Sequence, residues 1–279
     1  MVVLVTGGNG QLGQALHFIA GNYPEIAFHF IGSADLDITR KSQTENIFQS
    51  INPDFCVNAA AYTAVDKAET ESEIANAINV SGVRNLAEVC KKHKTILIHI
   101  STDFVFDGNK TSPYTEEDLT NPQSVYGQTK RDGENEILKI WPDYFILRTS
   151  WVYSQFGNNF MKTMLKLAQQ RTNLSVVNDQ KGTPTHAIDL AEVIVKIIFS
   201  GSKNFGIYNF SNEGEASWYD FAREIFELNR IEIDLKPIPT TDFPTPAKRP
   251  KYSVLDKYKI KKEFQIPINT WKEALHNHN

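Results

Sequence analysis

The chain has 279 residues, enough to bury a sizeable core as one large domain or two modest ones. Its 29 basic and 33 acidic residues leave a net charge of -4, which excludes any general attraction to nucleic acid or to an anionic membrane surface. No run approaches the roughly 18 apolar residues of a membrane span. Cys56 and Cys90 sit in apolar runs rather than at metal-binding spacing, and Met1 leads straight into a strand, so a cytoplasmic protein with no leader and no bound metal is expected.

Residues 2 to 6 are a continuous apolar run that stops at glycines, the pattern of a strand buried on both faces of a parallel sheet. The glycines read as Gly7-x-x-Gly10-x-x-Gly13 or as Gly8-x-Gly10-x-x-Gly13, and the helix behind them repeats apolar residues at Leu12, Leu16 and Ile19. Strand, glycine turn and helix together predict a dinucleotide-binding unit. One glycine permits the turn, one lets a pyrophosphate approach the backbone, and Gly13 lets helix and strand pack closely.

A second strand spans Ala27 to Ile31, followed by Gly32 to Ile38. Neither the acid that would hold a ribose 2′-hydroxyl nor an arginine for a 2′-phosphate stands at its end, so cofactor choice leans only slightly to NADPH, with NADH as the other candidate. Asp37 and Ile38 are expected along the adenine. Asp54 to Asn58 is the third strand, ending in the small residues Ala59-Ala60-Ala61 before Tyr62 and Thr63, where either a cofactor ring or a tight helix contact would need room.

A helical region from Ala64 to Lys92 contains Asn79 and Gly82, each of which weakens it, so a distortion or a polar partner is expected there. Thr95 to Ile100 is the fourth strand, with Ser101-Thr102-Asp103 at its end. Ser124 to Lys130 then starts a helix that places Tyr126 and Lys130 on one face. An ammonium beside a phenol is expected to pull its pKa down toward neutrality, giving an acid or base usable at physiological pH. Tyr144 to Arg148 is the fifth strand.

Beyond it the rhythm loosens: a helix over 159–170, a short strand over 174–177, a polar loop over 178–185, a helix over 186–199 and a last sheet strand over 207–210. Ser217-Trp218-Tyr219-Asp220 reads as a capping box. Five prolines between Lys236 and Pro250 predict an ordered loop without regular structure, and 277–279 a frayed end. The expected fold class is α/β, a Rossmann-type doubly wound parallel sheet over 1–150 and about 174–210, with a smaller substrate-binding cap from 151–173 and 211–279.

The combination resembles the extended short-chain dehydrogenases/reductases, and within them the dTDP-4-dehydrorhamnose reductase branch. The branch-specific motifs are Asn58 to Glu69, Ser101 to Phe106, Arg148 to Tyr153, Asn178-Asp-Gln-x-Gly-x-Pro-Thr185 and Pro244-Thr-Pro-Ala-x-Arg249-Pro250. The glycine turn and Tyr126-Gly-x-Thr-Lys130 mark only the superfamily. The resemblance implies NAD(P)H-dependent reduction of dTDP-4-dehydro-L-rhamnose at its C4 ketone. It makes Tyr126 the proton donor, Lys130 the residue on the nicotinamide ribose, and Thr102 a hydrogen-bond donor to the carbonyl. Gly7, Gly10, Gln11, Leu12, Gly13, Asp37, Ile38, Ala61, Tyr62 and Thr63 match cofactor contacts. Asp103 and Trp151 match contacts to the deoxyhexose, Asn79 a support of the active-site helix, and Arg249 a partner for the diphosphate or else a loop anchor. A magnesium-binding glutamate found in some members is replaced by Gln14-Ala15, so neither that metal nor that dimer is carried over. The chain is expected as a monomer or homodimer. A different nucleotide-linked 4-keto-deoxyhexose, or a non-catalytic NADP-binding regulatory subunit, remain the alternatives.

Overall fold

The first strand reads Val-Val-Leu-Val-Thr because both of its faces are buried: Val3 and Val5 face one hydrophobic core and Leu4 the other. The structure, a computed structural model, describes residues 1–278. Its strands are β1 (Val2–Thr6), β2 (Ala27–Ile31), β3 (Phe55–Asn58), β4 (Ile96–Thr102), β5 (Tyr144–Thr149), β6 (Val152–Tyr153), β7 (Asn173–Val177), β8 (Lys181–Gly182), β9 (Thr185–His186), β10 (Gly206–Asn209), β11 (Ala216–Ser217) and β12 (Asp234–Ile238). The helices are α1 (Gln11–Ala20), α2 (Lys41–Ile51), α3 (Val65–Ala68), α4 (Ser72–Asn76), α5 (Val83–His93), α6 (Val125–Ile140), α7 (Phe160–Ala168), α8 (Ala187–Ser200), α9 (Trp218–Leu228), α10 (Tyr258–Phe264) and α11 (Trp271–Asn277).

Six of the described strands form the central sheet in the order β10-β5-β4-β3-β1-β2, and every pairing is parallel. The order reverses between β1 and β3, so the carboxyl ends of those strands open a crevice between them. One face of the sheet packs on α1 and α8, through Leu12, Leu16 and Ile19 against Leu190 and Ile194. The other packs on α2, α5 and α6, through Phe48, Leu86 and Ile137. A third core, built on Met161, Leu174, Phe221, Ile225 and Trp271, lies in the cap.

Three features differ from the expectation. Only 187–210 returns to the central sheet; β7 pairs with β12, and β8 with β11 and β9 with β6. The burial of β7 shows why: Asn173 and Ser175 are exposed while Leu174 and Val176 are buried, the alternation of a strand with one wet face. Second, the proline-rich stretch is regular at its start, because β12 runs to Ile238 and contains Pro237. Asp234 directs its N–H at Thr172 of the β7 side, so Pro237, an odd number of residues on, turns its nitrogen outward and sacrifices no ladder bond. Third, the end is anchored: Asn277 is helical and His278 Nε2 lies 2.8 Å from Asp189 Oδ1, while Asn279 falls outside the described residues.

The region 64–92 is broken where the polar residues predicted. α3 and α4 are short, and Ala77–Gly82 forms a π-helical turn before α5. Gly82 is required there, since a Cβ would lie 2.7 Å from Ile38 Cγ1.

Candidate active site

The crevice is built first by close backbone approach. Gly7 has φ +65°, and a Cβ on it would meet the Ala59 carbonyl carbon at 2.7 Å; one on Gly13 would lie 2.5 Å from the Gly7 carbonyl oxygen. Gly10 is the N-cap of α1 and supplies no side-chain cap, so the N–H groups of the first turn are left facing the crevice where a phosphate can take them. Gln11 and Leu12 can serve an anion only through those N–H groups. The Gln11 amide is tied to the Val152 carbonyl at 3.0 Å and to Asn159 at 2.7 Å, and the Leu12 side chain is in the core.

Asp37 Oδ1 accepts from the Thr39 N–H and hydroxyl, and Ile38 is buried against Gly82. Ala61, Tyr62 and Thr63 follow β3 beside the crevice, with the Tyr62 backbone clamped on both sides by the Asn79 amide at 2.9 and 3.1 Å. Glycine cradle, uncapped helix end and small residues beside them fit a dinucleotide.

Ser124 caps α6 by accepting from the Gly127 N–H, which places Tyr126 and Lys130 on the first two turns. Asn79 also donates to Thr129 Oγ1 at 3.1 Å, whose hydroxyl donates to the Tyr126 carbonyl at 3.0 Å. The π-turn therefore steadies the turn that carries the phenol. Glu134, one turn beyond Lys130, accepts two bonds from Arg148 and one from Ser101, a buried pair in which both side chains are 3 % exposed.

Lys130 is 2 % exposed, and its Nζ donates to the Ile100 carbonyl at 2.6 Å and lies 3.4 Å from His99 Nε2. Burial brings it down to about 8, with Glu134 opposing. The Tyr126 phenol goes the other way from the expectation: burial raises it to about 12, Thr102 pulls it down and the charge of Asp103 pushes it up. Desolvation of the phenolate sets the direction, and the lysine is engaged instead by Ile100 and His99. His99 itself is held well below its ordinary value, by burial and then by Lys130. Its Nδ1 is 2.9 Å from the Asn58 amide nitrogen, and Asn58 Oδ1 accepts from Thr6 and Ala60, so a buried chain runs from β1 through β3 and β4 to the lysine.

At the end of β4, Thr102 and Asp103 are both buried and bonded to each other at 3.0 Å. Asp103 is almost wholly covered and lines neither of the two cavities described below. Trp151 has φ +47°, rare for an aromatic residue, and is clamped between Gly182, where a Cβ would lie 2.6 Å from its indole, and Trp218, stacked at 3.5 Å and 8°. Trp218 leads into a cap cavity of about 660 Å³, lined also by Phe160, Met164, Val176, Ile238, Phe243 and Arg249. The Arg249 fork forms a bidentate pair with Asp66 at 2.9 and 2.8 Å, which fastens its loop to α3. A larger open groove of about 870 Å³ beside the start of α6 is lined by Glu69 and Glu73, whose carboxylates repel phosphates.

His99 was not singled out in the sequence, and Asn58 and Trp218 entered there only as members of a motif and a capping box. A histidine inside an otherwise apolar strand is the one signal that could have drawn attention to this chain of groups.

Residues 1–278 match the family described as RmlD substrate binding domain. The chain belongs to this family. It is 44% identical over 288 residues to the dTDP-4-dehydrorhamnose reductase of Aggregatibacter actinomycetemcomitans, covering 99% of this chain and 97% of that protein. A crystal structure of the dTDP-4-dehydrorhamnose reductase of Clostridium acetobutylicum is 43% identical, with a TM-score of 0.95 over 100% of this chain and 98% of that one. That of Bacillus anthracis, in complex with NADP, is 37% identical with a TM-score of 0.94 over 99% and 98%. Among the described residues no helix is long and apolar enough to cross a membrane, and no group of three or more His, Cys, Asp or Glu is arranged to hold a metal.

Proposed function

We propose that the chain is an NAD(P)H-dependent oxidoreductase that reduces the C4 ketone of dTDP-4-dehydro-L-rhamnose to give dTDP-L-rhamnose. The observation that carries this reading is the convergence of Thr102 and Tyr126, with Lys130 enclosed beneath them, at the carboxyl end of β4 beside the glycine cradle of β1. It is supported by family membership and by the NADP bound to the relative from Bacillus anthracis.

The cradle holds the pyrophosphate, and the residues from Ala61 to Thr63 border the rest of the dinucleotide. When bound, the reduced nicotinamide supplies the hydride to the sugar C4. Tyr126 gives its proton to the ketone oxygen as charge develops there. A phenol near 12 keeps that proton at neutral pH and still yields it to an alkoxide, a stronger base. Lys130 would turn its ammonium from the Ile100 carbonyl toward the nicotinamide ribose and the phenolate left behind. Trp151 and Trp218 form the wall against the deoxyhexose, and the cap cavity takes the nucleotide, with Arg249 at its rim closing the loop over it. The reaction belongs to the cytoplasm, in a monomer or homodimer, where Cys56 and Cys90 stay reduced.

The test is isotopic. Purified protein, nicotinamide deuterated at its transferable position and dTDP-4-dehydro-L-rhamnose should yield dTDP-L-rhamnose carrying deuterium at C4. Cofactor binding without turnover would instead indicate a regulatory subunit, and comparable efficiency on several nucleotide-linked 4-keto-deoxyhexoses would indicate a broader reductase.

A further inference from the structure

Thr102 has a single hydroxyl proton; here Asp103 holds it, and the Tyr126 phenol is the other group within its reach. Thr102 Oγ1 donates to Asp103 Oδ1 at 3.0 Å and accepts from the Phe104 N–H at 3.2 Å. A hydroxyl arranged in this way has no proton to offer a ketone. Asp103 is 1 % exposed, and its Oδ2 makes no close hydrogen bond, the Ser253 hydroxyl being the group that faces the carboxyl. A buried carboxylate with one oxygen unpartnered is costly, whereas a carboxylic acid in the same place can donate to Thr102. The Thr102 oxygen would then accept from both Asp103 and Phe104, and its own proton would be free to turn outward to the substrate.

The surroundings shift the balance toward the acid. Burial raises Asp103 to about 6, against smaller opposing pulls from Ser253, Thr102 and the backbone N–H groups of Asp103 and Phe104. The titratable group facing it from α6 is Tyr126, which its charge pushes upward. The charged groups on the flanking elements are Arg148 of β5, paired with Glu134 of α6 through Nε and Nη2 while its Nη1 has no partner, and Lys130 of α6, engaged by Ile100 and His99. Ser253 faces it from the segment after the proline-rich stretch.

We infer that Asp103 works as a neutral carboxylic acid that turns the Thr102 proton toward the substrate ketone. It is a positioning residue, acting through Thr102 rather than by touching the sugar. The inference rests on the reductase reading above.

Two measurements test it. The first is kcat/KM against pH, from 5 to 7.5, for the wild type and Asp103→Asn. The wild type should fall toward tenfold per pH unit above the ionisation of Asp103. The variant, whose amide N–H can donate to Thr102 at every pH, should reach the wild-type plateau within a few-fold and lack that fall. A fall shared by both proteins, a flat wild-type profile, or a folded variant inactive at every pH would overturn the inference. The second needs no turnover: the carboxyl carbon resonance of Asp103, identified by its loss in Asp103→Asn, should titrate near 6 in ¹³C-aspartate-labelled protein. Titration at the ordinary aspartate value of about 4 would overturn it. If the wild type consumes no cofactor but this resonance titrates near 6, the reductase reading fails and the protonation of Asp103 stands.

Discussion

A single carboxyl and a single hydrogen atom decide much of this site. Asp103 is held at about 6 in the folded chain, against an ordinary value of about 4. The folded state therefore binds the proton more tightly than the unfolded one. Stability relative to Asp103→Asn should fall as pH rises from about 4 to about 6 and level off above, by up to about 3 kcal/mol. Urea midpoints of both proteins at pH 4 and pH 7 read this directly; a gap that does not change with pH contradicts it. Gly13 carries a different constraint. Adding one methyl places an atom 2.5 Å from two backbone oxygens, those of Gly7 and Gly8. Gly13→Ala should cost about 1–3 kcal/mol through displacement of α1 and weaken NADPH binding in parallel, seen by thermal unfolding and by dinucleotide titration. The glycines were legible in the sequence because their spacing states a backbone requirement. The behaviour of Tyr126 was not, because its helical spacing from Lys130 shows a cation nearby but not how much water the fold removes.

At the scale of elements, the active-site helix is set by its first turn. Ser124 caps it, and Asn79 of the π-turn reaches it through Thr129. Ser124→Ala should cost about 1 kcal/mol and lower kcat more than it raises KM, since it loosens the turn that bears the phenol rather than the cavity that binds the nucleotide. Steady-state kinetics check this split; a change confined to KM would contradict it. The strands of the central sheet were readable as short, mostly apolar runs, and the break at Asn79 and Gly82 as a weakness in an otherwise periodic helix. The short cap strands were not. β7 has one wet face and β12 contains a proline on an outer edge, so neither resembles the strands before it, and their pairing joins segments about sixty residues apart.

Across the whole molecule, the cap loop is fastened to the dinucleotide unit by Arg249 and Asp66, 183 residues apart in sequence. No local pattern could reveal that partner. The pair holds the Asp66 carboxyl below its usual range through hydrogen bonding to Arg249, so its contribution is present at neutral pH and is lost as pH falls through that lowered value. Arg249→Ala should loosen the loop and raise KM for the nucleotide sugar severalfold while leaving NADPH affinity unchanged; equal losses for both ligands would argue against this division between cap and crevice. The account as a whole depends on the phenol carried by the first turn of α6. Its most direct test is the single-turnover rate of NADPH oxidation by Tyr126→Phe with dTDP-4-dehydro-L-rhamnose, alongside NADPH binding by the same variant. The predicted result is a rate reduced on the order of 10²–10⁴-fold with cofactor affinity retained. A wild-type rate in that variant would contradict the account.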